Sequence, residues 1–164
     1  MTLPDHANSH LSPDGEAASF SLLPDPEFPG WHRWQLSDPT RYNDAVLGRT
    51  LVRPEGPETA RCRIFPGRHL TNLSDQVHGS AILGYIDIAF FAGLHVISGT
   101  DVAKGMTVEV STQFMAPATQ DKPLDAIVER LRETKRMFFM RGLIVQDEVR
   151  IAAFSGILRK PPAA

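Results

Sequence analysis

Seventeen consecutive residues, Ala81 to Ile97 (AILGYIDIAFFAGLHVI), are apolar at nearly every position, and an aspartate sits among them. Ile82, Tyr85, Ile86, Ala89, Phe90, Gly93, Leu94 and Ile97 recur at helical spacing, which predicts a helix over about 78–98. Leu83, Phe91 and Val96 fill the remaining faces, and a helix apolar all round is wrapped by protein on all sides. The run is slightly short for a membrane span and carries Asp87 and His95, so it reads as the buried helix of a soluble protein. Aspartate is a poor helix former and costly to bury. Its presence at position 87 therefore needs a reason.

The flanking sequence supplies strands. Thr50 to Arg53 and Glu58 to Phe65 read as strands around a Pro-Glu-Gly-Pro turn. Before them, Ser37 to Gly48 carries a Ser or Asp cap, Pro39 in its first turn and a closing glycine, which predicts one short helix. After the long helix, Met106 to Met115 alternates, placing Met106, Val108, Val110, Thr112 and Phe114 on one face. Residues 137–146 and 149–158 read as strands joined at Asp147-Glu148. Leu124 to Leu131 fits helical spacing as well as a strand; its place between strands favours strand. The result is an α+β domain, an antiparallel sheet wrapped on one long helix, spanning 31–164. Residues 1–30, rich in Pro, Asp, Ser and His without periodicity, read as a flexible or surface-laid extension.

Composition narrows the functions. The chain has 164 residues, 42% apolar and 22% charged, as an ordinary globular domain does. A net charge of −2 gives no basic footprint for nucleic acid. One cysteine, Cys62, excludes an internal disulfide and fits a reducing, cytoplasmic setting. The first twenty residues lack the basic and apolar regions of a signal peptide. The histidines show no ligand spacing beyond a terminal His6-x-x-x-His10, so no metal and no cofactor is expected.

Chemistry concentrates around the helix start, in Asn72-Leu-Ser-Asp-Gln-Val-His78-Gly79-Ser80. The first N–H groups of a helix lack intrahelical partners and its dipole is positive there, so Gly79 offers an anion or oxyanion site. The same residues also make an ordinary helix cap. Asp87 is either a general base or acid, or a carboxylate paired with an arginine or histidine. Gly79 and Asp87 lie eight residues apart, about 12 Å along one helix, whereas base and oxyanion donors must act on atoms roughly 3 Å away. If both are catalytic, the site spans a two-fold interface between two chains. Asn72 could hold a carbonyl or a water, though loop asparagines commonly just form turns. The aromatic residues Phe90, Phe91, Phe138 and Phe139 are core by default; Phe91 is carried forward as a candidate pocket residue.

The spacing Asn72-x5-His78-Gly79-Ser80-x6-Asp87, followed by GMTVEVSTQFMAPA (105–118), resembles the PaaI-type hotdog-fold acyl-CoA thioesterases over about Arg49 to Lys160. The resemblance implies a hotdog fold, hydrolysis of acyl-CoA to a carboxylic acid and free CoA, and a homo-oligomer, dimer or dimer of dimers, with sites at the subunit interface. It implies that the Gly79 amide polarises the thioester carbonyl, that Asn72 positions it, and that Asp87 of the other subunit is base or nucleophile. Thr107 would assist the water, and His78 would orient the loop. Lys104, Lys135, Arg136, Arg159 and Lys160 are candidates for the CoA phosphates. Two departures stand out: Ser80 replaces the second glycine of His-Gly-Gly, and Asp75 stands where glycine is common. A hotdog protein that binds acyl-CoA without turnover is the alternative.

Overall fold

The computed structural model describes residues 19–161. Eight strands form one sheet: β1 (Phe20–Pro24), β2 (His32–Leu36), β3 (Thr50–Pro54), β4 (Thr59–Ile64), β5 (Met106–Phe114), β6 (Leu124–Glu133), β7 (Met137–Gln146) and β8 (Val149–Arg159). Their order is β1-β2-β3-β4-β6-β7-β8-β5, antiparallel throughout. The sheet curls about α1 (Gly79–Ser98). This is the hotdog fold expected from the sequence, and the ambiguous segment at 124 is a strand. Its cross-strand neighbour explains why: Leu124 to Glu129 pairs residue by residue with β4, and sheet pairing overrides a weak helical period.

The helix buries Ile82, Tyr85, Ile86, Ala89, Phe90 and Leu94 against the sheet, each such large side chain contributing roughly 1.5–3 kcal/mol of transfer free energy. Tyr85 also ties helix to sheet through its hydroxyl, which donates to Leu124 O (3.2 Å) and accepts from Ala126 N (3.1 Å). Gly99 ends the helix at φ 65°, a left-handed conformation that suits glycine.

Four expectations need correction. The sheet starts inside the segment read as an extension: Phe20–Pro24 pairs with β2 from Phe20↔Leu36 to Pro24↔His32. Residues 1–18 lie outside the described residues. The β1–β2 loop is clamped to β3 because Asp25 accepts two 2.6 Å bonds from Arg49 and one of 2.7 Å from Arg33. Trp31 is buried under Arg53 and Arg63. Second, the predicted helix over 37–48 shrinks to a five-residue π-helical turn, Asn43–Leu47. Asp38 spends its carboxylate on Thr40 N and Oγ1, a local turn that competes with a helix start.

Third, α1 is not covered on every side. Leu83 is 43% exposed, and Ser80, Gly84, Asp87 and Phe91 extend that less buried stripe along the helix. Fourth, β5 does not keep one alternating face. A register shift between Thr107 and Glu109 breaks the alternation, and Met106 and Val108 are 52% and 53% exposed.

Candidate active site

The loop before α1 is shaped by Asn72. Its Oδ1 accepts from Ser74 N (2.9 Å) and Gln76 N (3.2 Å), while its own N–H bonds Gln76 O (2.8 Å). Asn72 is thus a turn former whose Oδ1 is occupied. Asp75 sits in this turn at φ 56°, the left-handed region that explains a preference for glycine there. His78 N donates to Leu70 O and Val77 N to Ala118 O, both at 2.8 Å, fixing the chain's approach to the helix.

Four N–H groups open α1 without intrahelical partners in the ordinary pattern. Three are satisfied. His78 N donates to Leu70 O, Ser80 N to His78 Nδ1 at 3.0 Å, and Ala81 N to His78 O at 3.0 Å. Because a backbone N–H can only donate, Nδ1 accepts, and the neutral His78 ring carries its proton on Nε2. The Ser80 hydroxyl lies 2.7 Å from the same Nδ1, so this departure from His-Gly-Gly strengthens the cap. The fourth group, Gly79 N–H, has no acceptor among the described residues, and the Phe114 ring lies beside it: a Cβ on residue 79 would sit 3.5 Å from Phe114 Cζ.

Asp87 is half-buried on the open stripe of α1, two helical turns further on. It has no cationic partner among the described residues. Thr107 Oγ1 donates to Asp87 Oδ1 at 2.5 Å. The bulge in β5 makes this contact possible: Val110 faces the helix opposite Gly156, Phe114 reaches Gly79, and the extra residue turns Thr107 inward as well. Within one chain Gly79 and Asp87 remain about 12 Å apart along the helix, so the structure brings Thr107 to Asp87 but not Gly79.

Asp87, Ile88 and Phe91 line a cavity of about 520 Å³, closed on its other side by Trp34, Tyr42 and neighbouring residues of the N-terminal layer. Phe91 therefore faces a cavity, as carried forward. Phe90 and Phe138 are core. No motif marks the N-terminal wall, since it is built from single residues of β2 and the π-helical turn. Of the cation candidates, Lys160 is committed to an ion pair with Glu133 and lies over the Phe138 ring. Burial pushes the Cys62 thiol far up, so it is inert core. Among the described residues no cluster of His, Cys, Asp or Glu could hold a metal; His6 and His10 lie outside them.

One long helix in a curled sheet, with an open amide at the helix start and a carboxylate on the exposed stripe, defines a hotdog protein. Residues 76–153 match the family model of the thioesterase superfamily. Similar folds include the PaaI protein from the E. coli phenylacetic acid degradation operon (TM-score 0.64, 15% identity, 76% of this chain and 87% of that one). Mouse thioesterase superfamily member 2 aligns with a TM-score of 0.62 at 18% identity, over 74% of this chain and 90% of that one. A putative esterase from Mycobacterium tuberculosis gives 0.63 at 20% identity, over 74% and 97%. No curated protein matches by sequence.

Proposed function

We propose that the protein is an acyl-CoA thioesterase. The observation that carries this reading is the state of Asp87: a half-buried carboxylate with a hydroxyl donor, no cationic partner among the described residues, and a cavity in front of it. A structural aspartate in an apolar helix would be expected to have an arginine or histidine partner.

In the proposed reaction the thioester carbonyl oxygen accepts from Gly79 N–H, with the Asn72 amide donating beside it. Asp87 of a second copy takes a proton from water as the water oxygen attacks the carbonyl carbon. The tetrahedral oxyanion is held at the positive end of the helix. Collapse breaks the C–S bond, and the CoA thiolate takes the proton from Asp87. Thr107 holds the carboxylate, His78 and Ser80 hold the helix start, and Phe91 lines the acyl pocket.

The two-chain site follows from the spacing along the helix, and β5 offers the means of assembly. It is one edge of the sheet, with Met106, Val108 and Phe114, and Met115 just after them, about half exposed, a combination that invites pairing with a second copy.

The test is free-thiol release from aliphatic and aromatic acyl-CoAs. Wild type turns over at least one, and Asp87→Asn, folded to the same melting temperature, is slower by roughly two to four orders of magnitude. A wild type that is stabilised by acyl-CoA but releases no thiol would instead be a binding protein.

A further inference from the structure

The family match begins at residue 76, yet one wall of the cavity beside Asp87 is built from residues before Gly48. The residue in that wall with the most specific fit is Tyr42. Gly84 lies inside α1, where glycine costs about 1 kcal/mol relative to alanine. A Cβ there would fall 2.2 Å from the Tyr42 hydroxyl oxygen and 3.0 Å from Cζ. The phenol end thus occupies a notch that only glycine leaves open.

Gly84 and Asp87 are three residues apart on one helix face, about 5–6 Å from each other. The Tyr42 hydroxyl makes no hydrogen bond among the described residues, and Asp87 Oδ2 accepts none either; Thr107 is on Oδ1. Two groups with unspent hydrogen-bonding capacity therefore lie one helical turn apart in one cavity. The chain is held there by design of the turn that follows. Asn43–Leu47 closes with Gly48 N bonded to Asn43 O, a π-helical geometry that recurs at functional sites. Leu36 N donates to Asp44 Oδ2 at 3.2 Å, tying that turn to β2.

We infer that Tyr42 is a positioning residue for the hydrolytic water. One water O–H donates to Asp87 Oδ2, the other to the Tyr42 oxygen, and a lone pair of the water oxygen faces the thioester carbon. The proton passes to Asp87; Tyr42 neither gains nor loses one. This inference rests on the thioesterase reading.

Steady-state kinetics of Tyr42→Phe, Gly84→Ala and the double variant test it, with melting temperatures alongside. Tyr42→Phe should lower kcat about tenfold, one hydrogen bond's worth, with KM within about twofold and the melting temperature unchanged. Gly84→Ala displaces the phenol and should lower kcat similarly, and the double variant should be no worse than either single one. If Tyr42→Phe keeps its kcat while KM rises, or the two losses add, Tyr42 is only pocket wall and the inference fails alone. If wild type releases no thiol from any acyl-CoA, the thioesterase reading fails and takes this inference with it.

Discussion

Thr107 Oγ1 reaches Asp87 Oδ1 at 2.5 Å, joining the edge strand to the core helix across twenty residues of sequence. The contact depends on the bulge at Thr107–Glu109; in an unbroken strand Thr107 and Val110, three residues apart, would face opposite sides, and only one of them could face the helix. A hydroxyl donating to a carboxylate is a charge-assisted bond, which fixes the carboxylate's orientation and leaves its second oxygen free to act.

Thr107→Val keeps the shape and removes the donor. It should lower kcat by about ten- to a hundredfold, the range of a hydrogen bond to a charged group. Thr107→Ser should recover most of the loss, because the hydroxyl is restored. Thiol-release kinetics read both. Equal activity in all three proteins would mean that Asp87 needs no orienting partner.

Gly79 offers a test of the amide itself. Proline is well suited to the first position of a helix, and His78 at φ −66° and ψ 139° already has the extended backbone that must precede proline. Gly79→Pro therefore deletes one N–H while the helix survives, and should cost about 10²–10³ in kcat, the usual loss for an oxyanion donor. Gly79→Ala keeps the N–H, and its Cβ meets Phe114 at an ordinary 3.5 Å, so it should stay within a few-fold of wild type. Mixing decides where the site lies. If Gly79 of one chain serves Asp87 of another, co-assembled Gly79→Pro and Asp87→Asn chains regain about a quarter of wild-type activity, since half the dimers are mixed and each has one intact site. No recovery would place both residues in a single-chain site.

Much of this was legible in the sequence because the signals were local. A seventeen-residue apolar run, strict alternation and turn residues specify the helix and six of the eight strands. The carboxylate in the run marked the site. What escaped has a common physical cause. Strand β1 is five residues long and ends in proline, and it and the loop after it are held by partners far away: Phe20 by Trp34 with ring centroids 4.2 Å apart, and Asp25 by Arg49. The bulge in β5 leaves the alternation of residue types intact while reversing which residues face inward ahead of it, from Met106 to Val108. The exposed stripe on α1 was hidden because Leu83 and Phe91 are as apolar as their buried neighbours. Tyr42 was missed for the same reason in reverse, since its fit depends on the absence of a side chain at Gly84.

The N-terminal clamp makes stability depend on acid. The Arg49 guanidinium holds the Asp25 carboxyl well below the usual carboxylate range, helped by Arg33 and the N–H groups of Glu27 and Phe28, against burial that pushes it up. A carboxylate with a depressed folded pKa takes up its proton in the unfolded state first, so its contribution is complete above the unfolded value of about 4 and declines as pH falls below it. Asp25→Asn keeps the shape of the side chain and removes its charge. Its melting temperature should lie below wild type at pH 7, with the gap narrowing from about pH 4 downward as the wild type loses the advantage. Asp38 and Glu58, also held low by Thr40 and Arg130 respectively, titrate in both proteins and cancel in the difference. Thermal melts of the two proteins at pH 7, 5, 4 and 3 give that difference directly. A gap that stays constant to pH 3 would show that Asp25 acts by packing alone, and that the two arginines hold β1 and β2 in place without help from its charge.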